Sequence, residues 1–278
     1  MKYDIKLIGL DLDGTVFNEK KQISDRTINA ISKAIEKGVT VIPATGRPYG
    51  GLPNEFTSIP GVRYALTANG SSIIDLMEKK VIYSNLIDVK AALDIIDELL
   101  TFDAIIDIFI DGTGYSPKSS ISCVRDYMHT EEMADYFIKT RLFYDNDAKT
   151  FIRDMHQPIE KIQLLFKDIS KKEKASEILK AHSDFAFTSA LTNNIEINSV
   201  TANKGDGLLG LGTHLGIKRE QIMACGDSYN DYEMIKSAGL GIAMGNATKD
   251  IKEIADFITL TNEEDGVAYA IEKYILSI

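Results

Sequence analysis

Short apolar runs alternate with amphipathic stretches at the start of the chain. Residues 5–12 form an apolar run that ends in carboxylates, which is typical of a buried parallel strand. Residues 24–37 carry isoleucines at helical spacing, between a serine suited to the N-cap and a glycine suited to the C′ position. The runs 39–44 and 64–67 predict two more strands. This order of elements predicts right-handed βαβ units and a parallel sheet.

The same alternation returns in the last quarter of the chain. Its apolar runs predict two short buried strands, and its amphipathic stretches predict helices between and after them. The predicted strands are 222–225 and 240–243, and the predicted helices begin near 204 and cover 230–237, 249–255 and 264–276. The two ends of the chain therefore predict one α/β domain with a doubly wound parallel sheet.

The middle of the chain has a different pattern. It is richer in aromatic residues, and none of its predicted strands ends in carboxylates. Strands are predicted at 71–84 (as a pair), 104–110 and 161–166, and helices at 89–100 and 171–182. We therefore expect an α/β core formed by residues 1–83 and 191–278, with an α+β domain of residues 84–190 inserted between its halves.

Composition restricts the classes of function. The 278 residues suggest about two domains of roughly 150 residues each. The 31 lysines and arginines against 41 aspartates and glutamates give a net charge of −10, which argues against nucleic acid or an anionic membrane as a partner. No apolar run reaches the roughly 18 residues of a membrane span, and the charged first residues predict no signal peptide. With only two cysteines, we expect a cytoplasmic protein without a disulfide framework.

The segment Asp11-Leu12-Asp13-Gly14-Thr15 directly follows the first predicted strand. In extended chain Asp11 and Asp13 project to the same side, because side chains repeat every second residue. Two adjacent carboxylates repel each other, so their joint ionisation needs a cation, and oxygen ligands suit Mg²⁺. The structural alternative is an Asx turn in which Gly14 supplies an unusual backbone angle.

Three other groups of polar residues follow predicted strands or begin predicted helices. Thr45 and Gly46 offer a hydroxyl and an N–H group to a phosphate oxygen, and Lys204 adds a positive charge at a helix start. The segment 226–231 places carboxylates and an amide on a strand-to-helix turn. Each group alone also fits a turn residue, a solvated lysine or a first-turn acid. Their joint occurrence at one sheet edge favours an anion-binding site.

These motifs resemble those of the haloacid dehalogenase-like superfamily. DLDGT, Thr45 in ATGRP, Lys204 in NKG and the run GDSYND match its four ordered motifs. The segment ANG at 68–70 and the long middle insert are similar to Cof-type members with a class IIB cap. The tail segments MGNA and EDGVA are similar to those of YidA-like sugar-phosphate phosphatases. The resemblance implies a Rossmann-like core with an inserted α+β cap, and a Mg²⁺-dependent phosphatase acting on small phosphorylated metabolites, above all sugar phosphates.

The resemblance also implies roles for individual residues. Asp11 would be the nucleophile that becomes phosphorylated, and Asp13 the general acid and then the base. Such an acid needs a raised pKa, which nearby negative charge can provide. The metal ligands would be Asp11, Asp227 and the backbone carbonyl of Asp13, with Asp231 behind them. The groups around the phosphate would be Leu12 N–H, Thr45, Gly46, Lys204 and Asn230.

Several alternatives remain open on the sequence. A sugar phosphomutase would use the same aspartyl-phosphate, and a non-enzymatic switch would be phosphorylated on Asp11 to change partner binding; an acid/base at Asp13 argues against the switch. Arg47 either faces the substrate or closes an ion pair near the site. Asp107, Phe109 and Tyr115 are candidate contacts to the leaving group, whose identity the sequence does not give, and the oligomeric state is equally open.

Overall fold

The computed structural model describes residues 3–128 and 130–277. These divide into two compact units, each described by itself. The strands are β1 Leu7–Leu10, β2 Thr40–Pro43, β3 Tyr64–Thr67, β4 Ser72–Asp75, β5 Lys80–Ser84, β6 Ala104–Ile110, β7 Thr113–Pro117, β8 Arg141–Tyr144, β9 Lys161–Phe166, β10 Phe185–Thr188, β11 Asn194–Ser199, β12 Ile222–Gly226, β13 Leu240–Ala243 and β14 Phe257–Ile258. The α-helices are α1 Asp25–Glu36, α2 Asn54–Thr57, α3 Val89–Leu99, α4 Glu131–Thr140, α5 Ala148–Met155, α6 Ile169–Leu179, α7 Lys204–His214, α8 Tyr232–Ser237, α9 Lys249–Ile254 and α10 Gly266–Ile271.

The first unit is built on a parallel sheet with the strand order β14-β13-β12-β1-β2. Alternate side chains of each strand point to opposite faces. Ile8 and Leu10 pack with α1 and α10 on one face, and Leu7 packs with α7 and α8 on the other. Helices therefore cover both faces, and the α/β doubly wound core expected from the sequence is confirmed.

Helix α1 has the N-cap, the following glycine and the buried face that its sequence pattern predicts. The Ser24 hydroxyl caps the helix by accepting a hydrogen bond from the Thr27 N–H at 3.1 Å. Beyond the last turn, Gly38 adopts a φ of +83°, a conformation that glycine reaches without steric cost. Ala30, Ile31 and other residues of one helix face are buried in the core.

Strand β3 departs from the predicted parallel sheet. An isolated parallel bridge joins its Leu66 to Ala44, the residue after β2, and β3 pairs antiparallel with β4 in the three-stranded sheet β3-β4-β5. The reversal occurs at the turn Ala68–Gly70, where Asn69 and Gly70 have φ values of +59° and +96°. An Asn-Gly pair tolerates this left-handed backbone and so allows the chain to turn back.

The second unit comprises residues 48–51 and 85–202. Its sheet has the order β10-β11-β9-β6-β7-β8, in which β7 and β8 pair in parallel and the other neighbours antiparallel. Helices α3, α5 and α6 pack on one face, and α4 contributes to a smaller cluster on the other. The second unit therefore has the α+β architecture that the sequence predicts for the inserted cap.

The second unit extends beyond the predicted boundary at residue 190. Strand β11 pairs with β9 and β10, so the chain leaves this unit only at Ala202 rather than at 190. At the other end, the predicted start at residue 84 lies next to Asn85, where the longer segment of this unit begins, and the unit also takes in residues 48–51. Of the helices in the part of the chain that the structure describes, none is long and apolar enough to cross a membrane.

Candidate active site

Asp11 and Asp227 follow two adjacent parallel strands. Each stands directly after the last residue of its strand, Leu10 of β1 and Gly226 of β12. The strands pair in parallel, and the Asp11 N–H donates a hydrogen bond to the Cys225 carbonyl at 3.0 Å. Both carboxylates therefore lie at the carboxyl edge of the sheet, where open α/β sheets bind their ligands.

Lys204 joins two of the carboxylates. It is the first residue of α7, whose N-cap Asn203 accepts a hydrogen bond from the Asp206 N–H. The fully buried Nζ donates to Asp11 Oδ1 at 2.6 Å and to Asp231 Oδ1 at 2.7 Å. Burial works to lower the pKa of Lys204, but the carboxylates of Asp11 and Asp231 outweigh it and raise this pKa. The lysine is therefore ionised at the centre of the cluster.

Asp231 is held by backbone as well as by lysine. It ends the 3-10 turn Tyr229–Asp231, and its Oδ2 accepts the N–H groups of Asp227 at 2.9 Å and Ser228 at 3.1 Å. Lys204 occupies its Oδ1. Both oxygens thus have protein partners, so Asp231 orients the turn that carries Asp227.

The cluster fits a hard divalent cation. One oxygen from each of Asp11, Asp227 and Asp231 lies within 4.8 Å of the others, and carboxylate oxygens are the ligands that Mg²⁺ takes. Asp11 Oδ2 is buried and accepts no hydrogen bond from any residue in 3–128 or 130–277. Because Asp231 is already bonded through both oxygens, the donor set favours Asp11 and Asp227 as the side-chain ligands.

Burial shapes the electrostatics of these acids. It raises the pKa of Asp11 well above the ordinary value, helped by the charge on Asp231 and opposed by Lys204. Burial, together with the charge on Asp231, also raises the pKa of Asp227, to about 7. A divalent cation bound between Asp11 and Asp227 would favour the ionised form of both, because opposite charge stabilises a buried carboxylate.

Asp13 is paired with positive side chains, whereas the sequence predicted that nearby negative charge would act on it. Arg47 donates two hydrogen bonds to it, at 2.9 Å to Oδ2 and 2.8 Å to Oδ1, and Lys21 Nζ lies 2.8 Å from Oδ1. Burial works to raise the pKa of Asp13, but the bonds from Arg47 and the charge of Lys21 lower it to about 2. The expectation of a raised pKa is therefore wrong for this state, because the two cations outweigh the effect of burial. The sequence left two alternatives for Arg47, contact with substrate or an ion pair near the site, and the structure shows the ion pair.

The predicted phosphate-binding residues lie in the same unit around this edge. Thr45 is buried after β2, and its hydroxyl accepts the Arg47 N–H at 3.1 Å. Asn230 accepts a hydrogen bond from the Ser228 hydroxyl at 2.9 Å. The Leu12 carbonyl accepts the N–H groups of residues 15–17, which closes the turn after Asp11, and Gly46 follows Thr45 directly.

Three residues near the site were not predicted. The Thr15 hydroxyl donates to Asp227 Oδ1 at 2.8 Å, and Asn69 contacts Asn230 at 3.4 Å. Both belong to motifs that the sequence singled out, so their position could have been inferred. Lys21 carries no such signal, since it is one of two consecutive lysines in a loop. The site then has three cations, from Lys21, Arg47 and Lys204. Its four carboxylates belong to Asp11, Asp13, Asp227 and Asp231, so its formal charge is −1 before any metal binds.

The candidate leaving-group contacts do not share a face of the second unit's sheet. Asp107 is buried and lies 3.1 Å from the Arg141 guanidinium, which stacks over Phe109 on the same face. Tyr115 packs on the opposite face, with its ring 5.0 Å from that of Phe151. The three residues therefore cannot contact one ligand from a single face.

The chain is similar to known proteins over nearly its whole length. A family model described as haloacid dehalogenase-like hydrolase matches residues 8–271. The 5-amino-6-(5-phospho-D-ribitylamino)uracil phosphatase YcsE of Bacillus subtilis (strain 168) is 34% identical, over 98% of this chain and 97% of its own. The structure of a haloacid dehalogenase-like hydrolase from B. subtilis superposes with a TM-score of 0.84 at 31% identity, covering 96% of this chain and 99% of that one.

A more distant structure is similar in fold. The HAD subclass IIB sugar phosphatase BT4131 superposes with a TM-score of 0.78 at 23% identity, covering 97% of this chain and 98% of that one. This agrees with the inserted α+β cap, and the match to the family model confirms the resemblance seen in the sequence motifs. The chain therefore belongs to the haloacid dehalogenase-like hydrolase family, within its Cof-type group, and is a phosphatase.

Proposed function

We propose that this protein is a Mg²⁺-dependent phosphatase that transfers the phosphoryl group of a small metabolite to Asp11. One observation carries the proposal: Lys204 holds one oxygen of Asp11 at 2.6 Å while the other, buried oxygen has no hydrogen-bond partner in 3–128 or 130–277. A carboxylate anchored through one oxygen is fixed in orientation, which is what an attacking nucleophile requires.

The reaction divides into two displacements at phosphorus. An Asp11 oxygen forms a bond to phosphorus, the bond to the leaving alcohol oxygen breaks, and a proton from Asp13 neutralises that oxygen. Water then attacks the same phosphorus, Asp13 takes its proton, and phosphate departs as the Asp11 carboxylate is restored. Thr45, Gly46 and Lys204 would bind the phosphoryl oxygens, since positioning and charge stabilisation dominate phosphoryl transfer.

The metal would be held by Asp11, Asp227 and the backbone carbonyl of Asp13. Bound there, Mg²⁺ would supply positive charge that compensates the phosphoryl oxygens next to acidic side chains. Asp231 would keep the turn before α8 in place through its bonds to the N–H groups of Asp227 and Ser228.

Asp13 must be released from its cations before it can donate a proton. In the described state Arg47 and Lys21 hold it in the ionised form. A phosphate dianion entering the site attracts the same two cations, and loss of either pair moves the pKa of Asp13 upward. The proposal therefore gives Arg47 contact with substrate after an exchange of ion-pair partners.

The substrate class rests on the similarity to YcsE, whose substrate name describes a phosphate on a ribityl chain. We infer that this protein acts on phosphates of polyhydroxylated small molecules, such as sugar phosphates and sugar-alcohol phosphates. The net charge of −10 supports small-molecule substrates over nucleic acid. A cytoplasmic location stays a prediction.

Phosphate release from a panel of metabolites tests the proposal. Sugar phosphates, sugar-alcohol phosphates and nucleotides are compared with Mg²⁺ and with a chelator present. We expect release from the first two classes that needs Mg²⁺ and is abolished by Asp11→Asn, while Asp184→Asn at an exposed position of the second unit serves as the matched control. Full turnover by Asp11→Asn would overturn the proposal, and conversion of a sugar 1-phosphate to a 6-phosphate without phosphate release would replace it with a phosphomutase.

A further inference from the structure

Two asparagines from the carboxyl-terminal segment hold the loop that follows β1. Asn246 Nδ2 donates a hydrogen bond to the Gly14 carbonyl at 2.8 Å, and Asn262 Nδ2 donates one to the Phe17 carbonyl at 2.9 Å. Both bonds link residues more than 230 positions apart, since their sequence separations are 232 and 245. We call Asn246 and Asn262 together the asparagine bracket.

The two members of the asparagine bracket orient each other. The Asn262 N–H donates to Asn246 Oδ1 at 3.1 Å, which leaves Asn246 Nδ2 directed to the Gly14 carbonyl. The two segments approach so closely that a Cβ at Gly245 would lie 2.8 Å from the Thr261 nitrogen. Only glycine fits there, so the MGNA segment found in the sequence places Asn246 against Asn262.

The loop that the asparagine bracket holds includes Asp13, the proposed acid, and Thr15, whose hydroxyl contacts Asp227 of the proposed metal site. The Leu12 carbonyl accepts N–H groups from residues 15–17, and Gly14 has a φ of +91°. A Cβ on Gly14 would lie 2.6 Å from Asp227 Oδ2, so the loop runs directly against that carboxylate. The carbonyl that Asn246 holds belongs to the peptide between Gly14 and Thr15. Asp13 stands one residue before this peptide and Thr15 directly after it, so the hydrogen bond restrains the backbone that carries both side chains.

We propose that the asparagine bracket consists of positioning residues for catalysis, which act by fixing the loop that presents Asp13 as acid and base. This inference rests on the proposed function, because it assigns Asp13 the proton transfer. Hydrogen bonds from an asparagine to a loop carbonyl also add stability by themselves. The test must therefore separate a loss of alignment from a loss of folded protein.

The dependence of the rate on the leaving group separates a loss of alignment from a loss of folded protein. An alkyl phosphate such as glucose 6-phosphate needs a proton from Asp13 to release its alcohol, whereas p-nitrophenolate leaves without one. In single-turnover measurements, Asn246→Ala should slow alcohol release by about 10- to 100-fold, the range set by a small misplacement of a catalytic group. Release of p-nitrophenolate in the first turnover should change little. KM should also change little, because the bracket does not touch substrate.

A second variant shows whether the bracket acts through Asp13. Asp13→Asn removes proton transfer, so Asn246→Ala added to Asp13→Asn should cause little further loss, as for residues that act as a unit. Asn54→Ala, at an exposed asparagine of α2, is the matched control and should behave as wild type with both substrates. Equal slowing of both substrates by Asn246→Ala, or a full further loss in the Asp13→Asn background, would overturn the proposal.

Hydrogen exchange provides a readout that does not depend on activity. In protein kept free of metal, Asn246→Ala and Asn262→Ala should each speed amide exchange in residues 15–17, whose N–H groups bond to the Leu12 carbonyl. Unchanged exchange would contradict the positioning role even if activity fell. If wild-type protein hydrolyses neither substrate, the proposed function is contradicted. The hydrogen-exchange result then still tests whether the asparagine bracket fixes the loop.

Discussion

Replacement of Lys204 by methionine removes the buried cation while keeping much of the side-chain volume. Lys204 is fully buried and contacts Asp11 at 2.6 Å and Asp231 at 2.7 Å. Removal of one partner of a buried ion pair leaves an uncompensated charge and costs about 3–5 kcal/mol. We therefore expect Lys204→Met to lower the free energy of unfolding by about 3–5 kcal/mol in protein without metal. The melting temperature should fall by about 6–20 °C, at about 2–4 °C per kcal/mol.

A double mutant tests whether charge is the cause. Asp231→Asn in the Lys204→Met background removes one of the two stranded carboxylates, while the amide oxygen can still accept the N–H groups of Asp227 and Ser228. The double mutant should therefore be more stable than the sum of the two single losses by about 1–3 kcal/mol. Thermal unfolding followed by circular dichroism measures all four proteins.

Lys249→Met removes a lysine whose side chain is 86% exposed, and it should change stability by less than about 0.5 kcal/mol. Strictly additive losses in the double mutant would show that Lys204 stabilises the fold by packing alone. A loss below about 1 kcal/mol for Lys204→Met would refute the assignment of a buried ionic cluster.

Other predictions concern the turn after Asp11, a buried thiol and an acid of the first unit. Gly14→Ala forces a side chain into a φ of +91° and against Asp227 Oδ2, so it should cost about 1–3 kcal/mol and most of the activity; a stable, active variant would contradict the geometry. Cys225 is fully buried, so one of the two cysteines should resist a thiol reagent in native protein and react after unfolding; rapid labelling of both would be inconsistent with this. The hydrogen bond from Arg63 lowers the pKa of Asp75. Its stabilising contribution should therefore be present at neutral pH and lost as pH falls through that lowered pKa. Asp75→Asn should weaken the protein at pH 7 and lose less on acidification than wild type, and equal acid sensitivity would argue against the pairing.

Elements with strong local signals could be predicted from the sequence. The predicted strands at 104–110 and 161–166 have the same bounds as β6 and β9, because each is rich in isoleucine, leucine and phenylalanine, with polar residues only at single positions. Helix α1 was located by its isoleucines and its Ser24 cap. The order of carboxylates after β1 and β12 also placed Asp11 and Asp227 at one edge, because parallel strands bring their carboxyl ends together.

Features that depend on long-range pairing could not be predicted. Strand β11 alternates polar and apolar residues, a pattern that does not say which sheet it joins, and only its pairing with β9 and β10 places it in the second unit. Strand β3 looks like another parallel strand until the turn at Asn69 reverses the chain. The partners of β11 leave no mark in the local sequence, and for β3 the one local signal is the Asn-Gly pair at 69–70.

The lowered pKa of Asp13 has the same origin. It depends first on Arg47, whose ion pair the sequence left open, and then on Lys21, eight residues further along a loop whose course the sequence does not specify. Lys21 adopts a φ of +56°, and its N–H bonds to the Asn18 carbonyl at 2.9 Å, so a tight turn brings its side chain back to Asp13. The sequence alone gives no sign that this cation lies beside Asp13.

Trapping of the phosphorylated enzyme tests the central claim most directly. Wild-type protein is mixed with a sugar phosphate and Mg²⁺, quenched in acid during the first turnover, digested and examined by mass spectrometry. We predict that one phosphoryl group is found on the peptide that contains Asp11, that fragmentation assigns it to that carboxylate, and that Asp11→Asn carries none. Phosphate release by an enzyme that never carries this label, or a label on another residue, would contradict the account.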